Sequence, residues 1–169
     1  MNSSIAHEES LTSTRSVVKI SLVAALYIAV TLILSVISFG PIQLRLSEMF
    51  NYLALFHKRY IVAVFLGVVI ANFMSPMWFI DVPIGGIATL AVLLVARAMT
   101  KNIKNVKVKF VVTAIIFTLS MFTVAVQLYI ILNLPFWWTY LTVALGELLS
   151  MTLGGFIMYA VSKKVELTK

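Results

Sequence analysis

The sequence predicts an all-α integral membrane protein, a bundle of six transmembrane helices with both termini in the cytoplasm. Two observations lead to this fold class. Of the 169 residues, 62% are hydrophobic and only 11% are charged, and the mean hydropathy is +1.05. Soluble domains carry about 45–50% apolar and about 25% charged residues, so this composition excludes a soluble domain or a soluble enzyme. The second observation is that the apolar residues fall into six runs separated by short breaks.

Each apolar run is bounded by a recognisable break. A spanning helix needs about 20 predominantly apolar residues, and the runs cover residues 17–38, 48–56, 60–74, 84–98, 110–132 and 136–161. The breaks are Gly40-Pro41, the basic turn 57–59, Ser75-Pro76, the basic loop 101–109 and residues 133–135. The last break divides an uncharged stretch, residues 110–146, because Pro135 cannot continue a hydrogen-bonded helix. The second and third runs are short, which indicates tilted, kinked or sheltered helices.

The basic residues indicate the orientation of the bundle. With the amino terminus inside, all 13 Lys and Arg residues except Arg45 lie on the cytoplasmic side, as the positive-inside rule requires. Merging the second and third runs would place His57, Lys58 and Arg59 at mid-membrane, which argues for six separate spans. The net charge of +7 is then explained by topology and by attraction to anionic membrane lipid, and nucleic-acid binding is not expected.

The predicted organisation is a cytoplasmic tail at residues 1–16, a membrane domain at 17–162 and a second cytoplasmic tail at 163–169. The first segment is polar and is not expected to be a cleavable signal peptide. The sequence has no Cys, which excludes disulfides and thiolate metal sites, and the lone His57 is a weak metal candidate. Because no phosphate-binding loop and no nucleophile–base constellation is present, we expect no enzymatic activity, no cofactor and no metal.

Polar residues of the membrane region concentrate in its outer half. Glu48 opens the second run, Asp81 precedes the fourth, and Glu147 lies eleven residues into the sixth, roughly 16 Å from its outer end. An ionisable group at such depth is costly and is by default a functional candidate. The remaining polar residues on this side are Gln43, Arg45, Asn51, Asn72 and Gln127. The inner half offers only hydroxyl groups.

This distribution predicts an outward-opening polar bowl with an apolar floor. A channel needs polar lining along its whole length, and a proton pump needs a relay that reaches both sides. A bowl instead favours capture of a small molecule from outside. Gly146, Glu147 and Ser150 share one helical face, although small and hydroxyl residues on such a face are equally explained by helix packing. Arg45 is a candidate partner for the Glu147 carboxylate.

Two further patterns have alternative explanations. Trp78 and Trp138 belong to a group of aromatic residues on the outer side, which fits an interfacial belt or a stacking wall for a flat heterocycle. Ser21, Ala25 and Ala29 are spaced by four on the first run. Such a stripe of small residues allows close approach of another helix, either within the chain or from a partner subunit.

Four segments resemble the QueT family, the substrate-binding S components of energy-coupling-factor (ECF) transporters that are assigned to queuosine precursors. They are GPIQLRLSE at residues 40–48, LGVVIANF at 66–73, the Asp-x-x-x-Gly-x-x-Ala-Thr-Leu stretch at 81–90 and the Gly-Glu pair at 146–147. The resemblance runs from residue 24 to residue 154 in matching order, and its most specific part is the IQ-x-R-x-SE pattern. Pro83-Ile84 and Gly86 depart from the family pattern.

The resemblance implies an S component in the plasma membrane of a bacterium that binds a deazaguanine base in an outward cavity. It further implies a transmembrane coupling subunit, which Ser21, Ala25 and Ala29 would face, and two cytoplasmic ATPase subunits. The S component would topple in the membrane to release its ligand inside. The expected substrate-binding residues are Gln43, Arg45, Glu48, Asn72, Trp78, Asp81, Gln127, Trp138 and Glu147.

The expected roles follow the chemistry of the ligand. A guanine-like edge offers adjacent N–H donors that a carboxylate accepts as a pair, a role we assign to Glu147. Asp81 or Glu48 would hold the ammonium of an aminomethyl group, and Trp78 or Trp138 would stack on the base. Three other functions remain open: an S component for another vitamin-like ligand, an accessory membrane subunit without a ligand, and an intramembrane enzyme.

Overall fold

The computed structural model describes residues 11–168, and this part of the chain is helical, without strands. The main helices of this part are numbered α1 to α6, and α1 is extended by a short helix, Ser35–Ser38. Their bounds are α1 Thr14–Ile33, α2 Leu46–Leu55, α3 Arg59–Asn72, α4 Trp78–Thr100, α5 Val106–Leu132 and α6 Phe136–Lys164. Each helix corresponds to one predicted apolar run. Four of them, α1, α4, α5 and α6, are long and apolar enough to cross a membrane, so the chain is a multi-pass membrane protein.

The helix ends follow local sequence signals. The side chain of Ser13 accepts a hydrogen bond from the Ser16 backbone N–H at 3.2 Å, which caps α1 and starts it three residues before the predicted boundary. At the other end of the bundle, α5 stops at Asn133, whose φ of 52° is left-handed. A left-handed residue ends a helix, and Asn tolerates this conformation better than most. The predicted break before Pro135 is therefore confirmed.

The first and last helices extend into the segments that the sequence predicts as tails. Residues 1–10 of the predicted tail 1–16 lie outside the described residues, and α1 already begins at Thr14. At the other end, α6 continues to Lys164, so the predicted second tail begins inside its last turn. Lys169 lies outside the described residues.

The short helix α2 is the centre of the bundle and contacts all five other helices. It is a 3-10 helix of 10 residues, which rises about 20 Å because each residue adds about 2.0 Å. Most of its residues are buried, including Glu48, Asn51 and Tyr52. The prediction that this short run is sheltered by its neighbours is confirmed.

The other helices are arranged around α2. α3 packs on α1 and on α4, α4 packs on α5, and α5 packs on α6. Gly67 of α3 allows a close approach of α1, because a Cβ there would lie 2.8 Å from the Tyr27 Cβ. α4 contains a π-helical turn, Asp81–Gly85, and α5 is interrupted at Met121. Both irregularities face the same cavity, since Asp81, Gly85 and Met121 line it.

Candidate functional site

Polar residues from α2 to α6 and from the loop before α2 enclose a cavity of about 70 Å³. This is several times the roughly 10–15 Å³ that one water molecule needs. The structure brings all but two of the expected binding residues into its wall: Gln43, Arg45, Glu48, Asn72, Asp81, Gln127 and Glu147. They come from five separate segments of the chain, so only the tertiary fold unites them.

Glu48 is held by hydrogen bonds to both carboxylate oxygens. The hydroxyl of buried Tyr27 donates to Oε1 at 2.6 Å, and the Asn51 side-chain amide donates to Oε2. A second contact beside it ties the same two helices together, because Thr31 Oγ1 and Ser47 Oγ lie 2.6 Å apart. Glu48 therefore enters the cavity wall already oriented by α1 and α2.

Asp81 is held in the same way at the start of the π-helical turn. The Gln127 side-chain amide donates to Oδ1 at 2.6 Å, and the Ser75 hydroxyl donates to Oδ2. The Asn72 side-chain amide donates to the Asp81 backbone carbonyl at 2.8 Å. Gly85 makes room for this amide, because a Cβ there would lie 2.9 Å from Asn72 Nδ2. Three helices thus converge on Asp81.

Arg45 donates its hydrogen bonds to Ser38 and Asn72, whereas the sequence suggested Glu147 as its partner. Its Nε donates to the Ser38 carbonyl at 3.2 Å, and its Nη1 donates to Asn72 Oδ1 at 3.1 Å. Its guanidinium lies 5.1 Å from the centroid of the Phe39 ring. The expectation that Arg45 pairs with Glu147 is therefore corrected: Arg45 anchors the loop to α3, and among the described residues it makes no hydrogen bond to Glu147.

Glu147 differs from Glu48 and Asp81 in the hydrogen bonding of its carboxylate. It is 3% exposed, and its buried Oε1 has no hydrogen-bond partner among the described residues. Nearly all buried polar groups have a partner, and a buried charged group without one is costly. Glu147 therefore brings a buried carboxylate oxygen without a partner among the described residues to the wall of the polar cavity.

The residue before Glu147 positions the loop that faces it. A Cβ at Gly146 would lie 1.9 Å from the Ile42 backbone carbonyl, so only glycine lets the loop rest on α6 here. The next loop residue, Gln43, has a φ of 51°, a conformation that few residues other than glycine adopt. This close contact brings Gln43 and Glu147 into the wall of the same cavity.

The two expected tryptophans lie elsewhere. Trp78 and Trp138 are 50% and 67% exposed, and neither lines the cavity. Trp78 instead packs on the Phe73 ring, with 6.1 Å between ring centroids. The aromatic surface of the cavity comes from Phe117, which sequence reasoning missed. Its signal was present, because Phe117 lies three residues before Ser120 and therefore shares its helical face.

The small-residue stripe of α1 lies on the molecular surface. Ser21, Ala25 and Ala29 are all exposed, whereas Val23, Ala24 and Tyr27 on the other face of α1 are buried. No other helix of the described chain covers the stripe. Within the described part of the chain the stripe is therefore exposed and not packed against another helix.

The fold and the cavity define a class: a multi-pass helical membrane protein with an internal polar site for a small solute. The model of the family described as "QueT transporter" matches residues 17–163. A curated relative from Lactococcus lactis subsp. cremoris (strain MG1363), named "Queuosine precursor transporter QueT", is 42% identical over 165 residues. These residues cover 92% of this chain and 97% of the relative. The chain therefore belongs to the QueT transporter family, as its sequence motifs indicated. No solved structure matches it.

Proposed function

We propose that the chain is the substrate-binding S component of an ECF-type importer and captures a deazaguanine base, a queuosine precursor, from outside. The observation that carries this proposal is the unpaired Glu147 oxygen, because Glu48 and Asp81 already hold a donor on each carboxylate oxygen. Membership of the QueT transporter family and the name of the relative from Lactococcus lactis support the same ligand class.

The charges of the cavity fit such a ligand. Its wall contains the carboxylates Glu48, Asp81 and Glu147 against the single guanidinium of Arg45, so a ligand with a cationic group would balance the excess. Glu147 accepts the paired N–H donors of a guanine-like edge. Glu48 or Asp81, which both line the cavity, receives the ammonium, since a carboxylate with two donors retains further lone pairs.

The amides divide into two roles. Asn72 and Gln127 are already bonded to Asp81 and hold the cavity wall in place. Gln43 lines the cavity and is the amide we assign to the remaining polar atoms of the base. Phe117 supplies the aromatic face beside it, in place of the expected tryptophans.

The same proposal covers topology and assembly. All six helices embed in the membrane as residues 17–162, with tails 1–16 and 163–169 in the cytoplasm, as the positive-inside distribution favours. The cavity side then faces outward. The exposed stripe Ser21, Ala25 and Ala29 docks a transmembrane coupling subunit, and two cytoplasmic ATPase subunits supply the energy. The S component topples against the coupling subunit to release its ligand inside.

A ligand panel tests the substrate class. Detergent-purified protein is unfolded by heat with an aminomethyl-deazaguanine, thiamine or riboflavin. A ligand that binds only the folded state at 100-fold excess over its Kd adds about 2.7 kcal/mol to the free energy of unfolding. We expect stabilisation by the deazaguanine alone. Stabilisation by thiamine or riboflavin instead would indicate another vitamin-like ligand, and no stabilisation by any compound would favour an accessory subunit.

A second experiment tests the coupling interface separately. Replacing Ala25 and Ala29 with Leu should prevent co-purification of the coupling subunit and ATPases, because the larger side chains keep a partner helix away. Binding of the base should be unchanged. The matched control replaces Ala91 and Ala98, which are exposed on α4, and should assemble normally. Intact assembly of the Ala25 and Ala29 variant would contradict the proposed interface.

A further inference from the structure

An apolar groove lies between the first turns of α5 and the last turns of α6. Its volume is about 420 Å³, and it shares no lining residue with the polar cavity. Its wall is almost wholly apolar, with one lysine. The lining residues are Tyr52, Lys107, Phe110, Val111, Ala114, Met151, Thr152, Gly155, Phe156 and Tyr159. Nothing in the proposed transport function uses this groove.

The floor of the groove is a pair of stacked rings. Tyr52 and Phe110 lie 4.1 Å apart between ring centroids, with an angle of 10° between their planes. The Tyr52 hydroxyl donates to the Met151 carbonyl at 2.9 Å, so the floor presents no unsatisfied polar group. Gly155 leaves this floor open, because a Cβ there would already lie 3.2 Å from the Tyr52 hydroxyl. The groove is thus a preformed slot for an apolar chain.

One end of the groove is basic. The Lys107 and Lys163 ammonium groups lie 5.7 and 4.6 Å from the centroid of the same Tyr159 ring. Within residues 11–168 neither ammonium pairs with a carboxylate. Asn105 and Ser162 line an adjoining recess of about 440 Å³ together with both lysines. Two like charges at one ring repel each other, and an anion placed between them would relieve that repulsion.

The length of the groove matches one leaflet of a bilayer. On α6 the groove runs from Met151 to Tyr159, and the adjoining recess extends it to Lys163. From Met151 to Lys163 the helix rises about 18 Å. The hydrocarbon core of a bilayer is about 30 Å thick, so one leaflet measures about 15 Å. An apolar slot of this length that ends in two ammonium groups matches the shape and charge of a lipid with an anionic head.

We propose that this groove binds one anionic phospholipid, with an acyl chain along the Tyr52–Phe110 floor and the phosphate between Lys107 and Lys163. Because the site combines an apolar slot with two unpaired cations, it selects anionic over zwitterionic lipids. The head group of a zwitterionic lipid would place its own cation beside the two lysines. In the proposed orientation the lipid belongs to the cytoplasmic leaflet, but the binding itself does not depend on the transported substrate.

The test measures lipid adducts of the detergent-purified full chain by native mass spectrometry. Phosphatidylglycerol and phosphatidylcholine with identical acyl chains are titrated separately. We expect a one-to-one adduct that forms at lower concentration with phosphatidylglycerol. Replacing Lys107 and Lys163 together with Gln should weaken phosphatidylglycerol binding roughly 30-fold, since each cation near an anionic lipid contributes roughly a fivefold factor in affinity. Phosphatidylcholine binding should stay unchanged.

The matched control replaces Lys101 and Lys104, exposed lysines outside the groove, with Gln. This pair removes the same charge and should leave phosphatidylglycerol binding intact. Gly155→Leu should weaken binding of both lipids by filling the slot, while Ala160→Leu on the exposed face of α6 should not. Thermal unfolding identifies any variant that fails to fold. If Gly155→Leu fails to fold, the two lysine pairs still test the site, because all four lysines are exposed.

Three results would overturn the lipid site. Equal affinity for the two lipids would remove the role of the lysines in selectivity. An equal loss in both lysine pairs would indicate diffuse attraction to the whole basic surface. Unchanged lipid binding together with lost assembly in the Lys107 and Lys163 variant would make the groove a docking face for a protein subunit.

Discussion

Gly146→Ala is the substitution that most sharply tests how the cavity is built. The new Cβ would lie 1.9 Å from the Ile42 carbonyl oxygen, a backbone atom, whereas real Cβ atoms essentially never approach a neighbour closer than 3.0 Å. The loop must therefore retreat from α6 by about 1 Å, because a packed interior has no spare room. This retreat carries Gln43 away from Glu147.

Two opposing effects determine the stability of this variant. Alanine in a helix stabilises by about 0.5–1 kcal/mol relative to glycine. Overpacking against a backbone costs about 1–3 kcal/mol, so we expect a net loss in the free energy of unfolding. Affinity for the base should fall roughly tenfold or more, because binding groups must be held within about 0.5 Å. Stability is measured by denaturant titration in mixed micelles and affinity by calorimetry.

Gly155→Ala is the matched control, nine residues further along the same helix. Its Cβ would meet only the Tyr52 side chain, at 3.2 Å, which can shift slightly. We therefore expect unchanged affinity for the base and equal or higher stability than the wild-type chain. If Gly146→Ala were as stable and bound as tightly as Gly155→Ala, the contact between the loop and α6 would be refuted.

Three further substitutions test the hydrogen bonds and the helix end. Tyr27→Phe removes the donor to Glu48 and should lower the free energy of unfolding by about 1–3 kcal/mol, the cost of an unsatisfied buried acceptor. Gln127→Leu should cost a similar amount by removing the donor to Asp81, and denaturant titration measures both. Asn133→Val should destabilise by about 1–2 kcal/mol because its φ is left-handed, whereas Asn133→Gly should be nearly neutral.

The tyrosine and amide predictions each have a control of the same chemistry. Tyr129→Phe changes an exposed tyrosine of α5 and should leave stability unchanged. Gln127→Glu keeps the shape of the side chain but places a carboxylate against Asp81, so it should destabilise more than Gln127→Leu. Equal stability of Tyr27→Phe and Tyr129→Phe would show that the Glu48 hydrogen bond contributes nothing.

The sequence was most informative where a single residue type has one physical meaning in a membrane. Burying a charged or amide side chain in a membrane costs free energy, so each such residue was a functional candidate. Seven of those expected to bind ligand line one cavity. Pro135 likewise marked the break between α5 and α6, because proline lacks the N–H that a helix interior needs. In both cases a local chemical cost was sufficient for the prediction.

The sequence was least informative where the answer depends on distant residues. The Tyr27 hydroxyl and Glu48 are 21 positions apart, and Gln127 and Asp81 are 46 apart, so no local pattern pairs them. An aromatic residue at an outer helix end is apolar whether it faces lipid or a cavity. Trp78 therefore could not be assigned until the rotation of α4 was known.

The most direct measurement of the central claim is the affinity of the detergent-purified protein for an aminomethyl-deazaguanine, with and without the Glu147 carboxylate. Hydrogen bonds to charged groups contribute about 1.5–3 kcal/mol, so Glu147→Gln should weaken binding roughly 10- to 150-fold by calorimetry. Glu166→Gln, on an exposed residue after α6, should bind like the wild-type chain. Unchanged affinity in Glu147→Gln would contradict the assignment of this carboxylate as the group that receives the ligand.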